Sequence, residues 1–494
     1  MKSFMEKRFS PFFVPSLRND TLFYGVSVLC ERIVSFLILP LLTKLIAQEL
    51  YGVWSQMIIT AGLISNVILM GFHTAVVRFL SGIENNRERS EIFHAMVAIV
   101  LFNSFIVITI AFFFAPPLSH LVFGDVRYST FIPLLGILLV SDALFELVAA
   151  FLRARKSIQL VSFYYFIKAT VKIGLLAMGI LILRLELYQA ITGIVGAQLI
   201  LVLFIYVKDI LRKMGLRISI IDIPWRKIMF FSLPLVPYSI VIWANNFVDR
   251  YFILHLLDIT QVSIYAVAYS LAAIVGLFYS VLGYTLYPHL TRLWNTGDKI
   301  GTAETLHKAT EYYLFCTIPV IALLANFGTP LVKIFTKNEY VSNWQVIFFL
   351  GAGIGSFGLY HLNIYIILLA NKTLFNLKVS AVGLFVNVIF NTIFIPAIGI
   401  LGAAIATFLS NGILAFWIIR EGKKHISFVF PWRSTIKIVI ATSLMILILL
   451  WIGRYVEIKN LGALIFVLAL GTGIYGAIDL LNKNSFLLRL WRNI

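Results

Sequence analysis

Long apolar runs separated by short polar segments set the organisation of this chain. A bilayer-spanning helix needs about 20 consecutive apolar residues. By that measure the pattern predicts fourteen spans, at about 22–45, 51–72, 94–118, 130–152, 160–183, 187–207, 228–257, 264–290, 309–335, 343–370, 374–396, 400–419, 434–452 and 460–481. The predicted fold class is an all-α polytopic membrane protein.

The spans repeat. Laid on itself at an offset of 214, ERIVSFLILPLLTKLIAQELYGVWSQ meets NNFVDRYFILHLLDITQVSIYAVAYS, so that Tyr51 falls on Tyr265, Val53 on Val267 and Arg78 on Arg292. With a drift of one or two residues, Pro117 falls on Pro330, Ala154 on Ala370 and Lys156 on Lys372. Six spans per copy is an even number, so the copies run parallel, related by an axis along the membrane normal. The expected organisation is an N-lobe at 1–210 with spans 1–6, a cytoplasmic linker at 211–227, a C-lobe at 228–428 with spans 7–12, and two further spans with a tail at 429–494.

Composition agrees and charge adds direction. Of 494 residues 60% are hydrophobic and 13% charged, against about a quarter charged in soluble domains. The net charge of +18 raises the possibility of nucleic-acid binding, which its placement argues against. If the N-terminus is cytoplasmic, 29 of the 40 Lys and Arg lie in inner segments, seven in outer ones, and four inside spans. That bias predicts both termini in the cytoplasm. No metal or cofactor motif is present: Cys30 and Cys316 lie in different spans, and the eight histidines form no ligand spacing. GIGSFG at 353–358 has the form GxGxxG but sits inside a span, where its glycines suit close helix packing rather than a dinucleotide.

Charges inside spans are the candidate functional residues, because each costs about 2.5 to 3.5 kcal/mol at the bilayer centre. Span 1 carries Glu31 and Arg32, and span 7 carries Asp249 and Arg250 behind the helix breakers Pro234 and Pro237. The repeat places Arg32 opposite Asn246, one helical turn from Asp249, so an Arg32–Asp249 salt bridge and an anion gap between Arg32 and Arg250 are both open. Spans 4 and 5 carry Asp142 with Glu146 and Lys168 with Lys172, each pair four apart on one helix face. Counting from their shared loop sets Glu146 level with Lys168 and Asp142 with Lys172, as two ion pairs or as the wall of a cavity in which Glu31, Asp142 or Glu146 couples to an ion or proton. Arg78 and Arg292 close spans 2 and 8. Trp243, Tyr238, Tyr251 and Tyr265 are candidates for stacking on sugar rings. Enzyme chemistry on the carboxylates is not expected, since the longest inter-span segment, 208–227, has 20 residues and offers no aqueous domain.

YGVWSQ after span 1, Arg78, and above all WANNFVDRYFILHLLDITQVSIYAVAYS followed by Pro288, His289 and Leu290 resemble the bacterial polysaccharide transporter family of O-antigen and capsule flippases, related to MATE exporters and the lipid II flippase. The resemblance covers about the first 430 residues. It implies a non-enzymatic, multi-pass protein of the inner membrane that moves an oligosaccharide on undecaprenyl pyrophosphate across the bilayer by alternating access. Implied partners are that lipid, membrane lipids, a polysaccharide polymerase and a chain-length regulator, with no nucleic acid and no cofactor. On this reading Arg32 and Arg250 hold the pyrophosphate, Asp249 orients Arg250 or pairs with Arg32, Lys168 and Lys172 add an anion contact, and Arg78 and Arg292 capture the headgroup. An ion-coupled exporter of small molecules and a non-transporting cell-envelope component are the alternatives.

Overall fold

A computed structural model describes residues 37–216, 223–453 and 461–480. Every regular element among them is helical. In chain order the principal helices are α1 (Gln48–Leu69), α2 (Phe72–Leu80), α3 (Asn86–Phe113), α4 (Ala115–Phe123), α5 (Phe131–Ala154), α6 (Ile158–Ala177), α7 (Leu187–Ile205) and α8 (Trp225–Ser232). They continue as α9 (Leu235–Leu256), α10 (Ile259–Ala272), α11 (Gly276–Asn295), α12 (Lys299–Phe335), α13 (Trp344–Leu369), α14 (Thr373–Ile398), α15 (Ile400–Gly422), α16 (Trp432–Ile452) and α17 (Leu461–Leu480). Thirteen helical segments among the described residues are long and apolar enough to cross a membrane. They coincide one for one with the second to the fourteenth predicted spans. Most of the first predicted span lies outside the described residues, which pick up its helix at 37–45.

The helix ends follow local chemistry. Asp258 and Asp298 accept the backbone N–H groups of Gln261 and Gly301 at 2.8 and 2.7 Å, starting α10 and α12. Glu186 and Gln189 form a reciprocal capping box at the start of α7. The cap at Asp298 explains why α12 starts ten residues before the predicted span: a capped polar turn extends the helix beyond its apolar run.

The chain divides into two compact units, Met1–Trp243 and Ala244–Ile494. In the first, α5 is the central helix: 78% of its membrane-length window is buried, against 22% for α3 and 17% for the segment containing α6. It packs against α1, α2, α3 and α7. Two helix breaks meet in this unit, one at Met70–Gly71 between α1 and α2 and one at Leu233–Pro234 between α8 and α9. Gly71 has φ 75°, and a Cβ there would collide with the carbonyl of Ser232. The missing side chain therefore serves both the left-handed turn and the close approach. The sequence expectation of a broken span 7 at Pro234 matches this geometry.

In the second unit α13 occupies the central position, packed against α10, α11, α12 and α15. Under the internal repeat it corresponds to α5. Gly353 allows α15 to approach, since a Cβ at that position would lie 3.2 Å from the backbone of Phe408. Asn411 donates to the Gly353 carbonyl at 3.2 Å, and Asn387 bridges α14 to Ser410 on α15 at 3.1 Å. Small residues for contact and amides for cross-helix bonds are the usual means of joining helices in lipid, where apolar side chains gain little from leaving one another. The two appended helices dock on α12 through Leu323, Phe327, Met445, Leu449, Leu464 and Tyr475.

The α13–α15 contact makes a simple prediction. Gly353→Val should destabilise the detergent-solubilised protein by roughly 1 to 3 kcal/mol through overpacking. Gly412→Ala, where nothing lies within 4 Å of the added Cβ, should be neutral or slightly stabilising in the same thermal unfolding measurement.

Candidate functional site

Each unit gathers its membrane-embedded charges in a different way. In the first, a cavity of about 350 Å³ is lined from α1 by Trp54, Ser65 and Asn66, from α5 by Asp142 and Glu146, from α6 by Tyr165, Lys168 and Lys172, and from α7 by Gln198. Lys168 Nζ donates to Asp142 Oδ1 at 2.8 Å, and Gln198 Nε2 donates to the same oxygen at 2.6 Å. The two ionic side chains keep 22% and 27% exposure, so the pair opens onto the cavity rather than being sealed. The Tyr165 hydroxyl donates to Glu146 at 2.8 Å and accepts from Arg153 Nη1 at 3.4 Å. Lys172 lies 5.0 Å from the Trp54 ring and Lys168 4.4 Å from that of Phe145, within cation–π range.

This corrects the expected pairing of Glu146 with Lys168 and Asp142 with Lys172. The loop between α5 and α6 is centred near Lys156, ten residues from Glu146 and nine from Tyr165, so the tyrosine reaches the depth assigned to a lysine. Asp142 then faces Lys168. Two carboxylates and two ammonium groups line one chamber, with neutral Tyr165 and Gln198 completing their bonding. Neither was singled out from sequence, although Gln198 is an amide deep in a long apolar run and such residues are costly to bury unbonded.

In the second unit Asp249, Arg250 and Tyr265 are 3%, 4% and 0% exposed. The Tyr265 hydroxyl donates to Asp249 Oδ2, Thr407 approaches the same oxygen at 3.4 Å, and the Arg250 backbone N–H donates to Oδ1 at 2.8 Å. The Arg250 guanidinium carbon sits 4.4 Å from the Tyr269 ring, 5.3 Å from Phe247 and 6.0 Å from Tyr265. Nε and Nη1 of Arg250 meet no acceptor among the described residues. Adjacent residues on a helix cannot face one another, and here the acid turns to α10 and α15 while the cation turns to aromatic faces. One turn earlier, Asn245 Nδ2 donates to the Ser380 carbonyl at 2.9 Å, joining α9 to α14.

Tyr265, fully enclosed and bonded to Asp249, does not present a face for sugar stacking. Trp243 donates its Nε1–H to the Ile59 carbonyl at 2.9 Å. Arg78 is exposed on α2, with its guanidinium 4.3 Å from the Phe231 ring, and Arg292 is exposed near the end of α11. Glu31 and Arg32 lie outside the described residues. The structure thus brings together Asp142, Glu146, Lys168 and Lys172 in one chamber and Asp249 with Arg250 in another, and leaves Arg78 and Arg292 at helix ends. Among the described residues no group of three or more His, Cys, Asp or Glu side chains is arranged to hold a metal.

This arrangement of helices has counterparts among solved structures. The fold resembles that of a solved structure titled "Lipid II flippase MurJ, inward closed conformation", with a TM-score of 0.77 at 15% identity over 93% of this chain and 98% of that one. It also resembles an inward-facing multidrug resistance MATE family transporter of the MOP superfamily, with a TM-score of 0.68 at 12% identity over 82% of this chain and 94% of that one. Residues 17–294 match the family described as "Polysaccharide biosynthesis protein", and the chain belongs to that family. It is also 29% identical over 154 residues to "Uncharacterized membrane protein MJ1068" of Methanocaldococcus jannaschii, a match spanning 31% of this chain and 30% of that protein.

The chamber geometry predicts a rescue. Lys168→Ala or Asp142→Ala alone should cost roughly 1 to 3 kcal/mol, reduced from a fully buried pair by the partial exposure. The reversed pair, Asp142→Lys with Lys168→Asp, should recover most of that loss in thermal unfolding. In the second unit, Tyr265→Phe should cost about 1 to 3 kcal/mol by leaving Asp249 short of a donor; unfolding midpoints at matched detergent conditions check both.

Proposed function

We propose that this protein is a flippase that carries a lipid-linked oligosaccharide, borne on undecaprenyl pyrophosphate, from the inner to the outer leaflet of the bacterial cytoplasmic membrane. The observation that carries the reading is the half-open charged chamber of the first unit in a chain of the polysaccharide biosynthesis family. A headgroup of sugars and phosphates needs ammonium and hydroxyl donors shielded from hydrocarbon, and Lys168, Lys172, Tyr165, Gln198 and Asn66 supply donors of that kind. The lipid II flippase and MATE transporter folds support alternating access as the mode of movement.

In the proposed cycle Lys172, stacked on Trp54, meets the anionic part of the headgroup. Lys168 follows when an incoming phosphate competes with Asp142 for its ammonium. Arg78 and Arg292 recruit the headgroup at the cytoplasmic face, and Arg250 presents buried positive charge in the second unit. Arg32 is a further proposed contact for the pyrophosphate, and Glu31 is a carboxylate proposed for ion or proton coupling, as Asp142 and Glu146 become when their present partners are displaced. Both chain ends face the cytoplasm, and a polymerase with its chain-length regulator receives the product outside. Export of small cations asks for a carboxylate left open to the cargo. Here Asp142 is already matched by Lys168 and Gln198, and Glu146 by Tyr165, so the oligosaccharide reading is favoured.

Reconstitution tests it. Vesicles containing the protein should expose a fluorescent undecaprenyl-pyrophosphate oligosaccharide to an impermeant quencher faster than protein-free vesicles. Lys168→Ala with Lys172→Ala should slow the initial rate about tenfold or more, as expected for losing two charge-assisted contacts. Wild-type vesicles that behave like empty ones reject the proposal.

A further inference from the structure

A second cavity, of about 730 Å³, lies wholly within the second unit and includes none of the charges discussed above. It is formed by His307, Glu311 and Phe315 in the N-terminal half of α12, the segment 429–431, the start of α16 and the end of α17. We infer that it is a binding site for one membrane phospholipid with a zwitterionic headgroup, held between α12 and the two appended helices.

The setting selects a lipid over a water-soluble ligand. Val429, Trp432 and Ile440 line the cavity and are also exposed large apolar side chains, at 68%, 65% and 54%. In a membrane such a surface meets acyl chains, and tryptophan at a helix start favours headgroup depth. The cavity therefore opens sideways onto lipid. Its walls change character with depth along α16: Arg433 and Lys437 come first, four apart on one helix face, and Ile440 and Ala441 follow one turn farther in. Phosphate at the cations and an acyl chain along the aliphatic turn is the order a glycerophospholipid presents.

Charge selects the headgroup class. Arg433 and Lys437 are balanced by Glu311 and Asp479 in the same lining. An anionic lipid would leave a surplus negative charge in a partly enclosed space, whereas a zwitterion offers phosphate to the cations and ammonium to Asp479. The floor is already rigid: Ser434 Oγ donates to Glu311, itself 3% exposed, at 2.6 Å, and Tyr475 donates to the Phe315 carbonyl at 3.1 Å. On the loop side His307 Nδ1 donates to the Val429 carbonyl at 2.6 Å, tying the rim to α12. A volume of this size accommodates a headgroup with the upper part of its chains.

The inference goes beyond the proposed transport and is tested without it. The purified full-length protein, stripped of lipid, is titrated with phosphatidylethanolamine or phosphatidylglycerol of identical chains and read by native mass spectrometry. One phosphatidylethanolamine should be retained in preference to phosphatidylglycerol. Arg433→Ala should weaken its retention about tenfold, the loss of one charge-assisted contact. Arg433→Lys should keep most of it, and Lys423→Ala, an exposed cation outside the cavity, should change nothing. Unfolding midpoints of the variants separate lost binding from lost fold. Undiminished retention by Arg433→Ala at an unchanged midpoint, or phosphatidylglycerol held as well as phosphatidylethanolamine, overturns the assignment.

Discussion

An ionised side chain in hydrocarbon must find its counterpart inside its own helix bundle, and this requirement shapes both halves of the molecule. Asp249 and Arg250 illustrate it in its strictest form. Bonding to Tyr265 and approach by Thr407 stabilise the carboxylate, and three aromatic rings within 6.0 Å stabilise the guanidinium. A desolvated cation–π contact is worth about 2 kcal/mol, so several rings can offset much of the insertion cost of an arginine. The residues of α10 and α15 around this pair are therefore constrained by charge as much as by packing.

The same requirement explains why the central helices are central. A helix packed against several neighbours can offer polar atoms in several directions without exposing them to lipid, and α5 and α13 do so. Asp142 and Glu146 project from α5 to α6 and α7, while on α13 the carbonyl of Gly353 accepts from Asn411 and Tyr360 bonds Asn376 on α14 at 2.5 Å. Small residues bring backbones close enough for such bonds to form. Packing and polar satisfaction are one design, since each glycine contact shortens the distance an amide must reach.

What the sequence reveals follows the reach of each signal. The spans were legible because hydrocarbon thickness imposes a length that few other constraints mimic, and Pro234 marked the break in span 7 because a missing N–H cannot be hidden. The identity of the partners was less accessible. Asp142 pairs with Lys168 instead of Lys172 because a loop of three residues shifts relative depth by most of a turn, a displacement too small for apolar pattern to register. Thr407, Tyr165 and Gln198 escaped notice because they are neutral, and Tyr265 stood out only as a stacking candidate, since a search for charges overlooks the hydroxyls and amides that complete their bonding. The two ring partners beside Tyr265, Phe247 and Tyr269, read as ordinary apolar residues until the fold turns them onto Arg250.

The two charge sites differ in one respect that bears on the proposed transport. Asp249 and Arg250 are almost entirely enclosed, so moving either group requires opening the packing around it. Lys168 and Asp142 keep about a quarter of their surface exposed, and Lys168 ends on a flexible four-carbon stem beside a cavity. Under the proposed function an entering phosphate competes for that ammonium without dismantling the helix contacts, and Asp142 retains Gln198 as a donor while the lysine is engaged. A binding site that must load and unload in each cycle is better built from such half-open pairs than from sealed ones. The sealed pair holds helices α9, α10 and α15 in register at rest and can meet a headgroup only when the packing around it opens, while the half-open one exchanges partners without that cost.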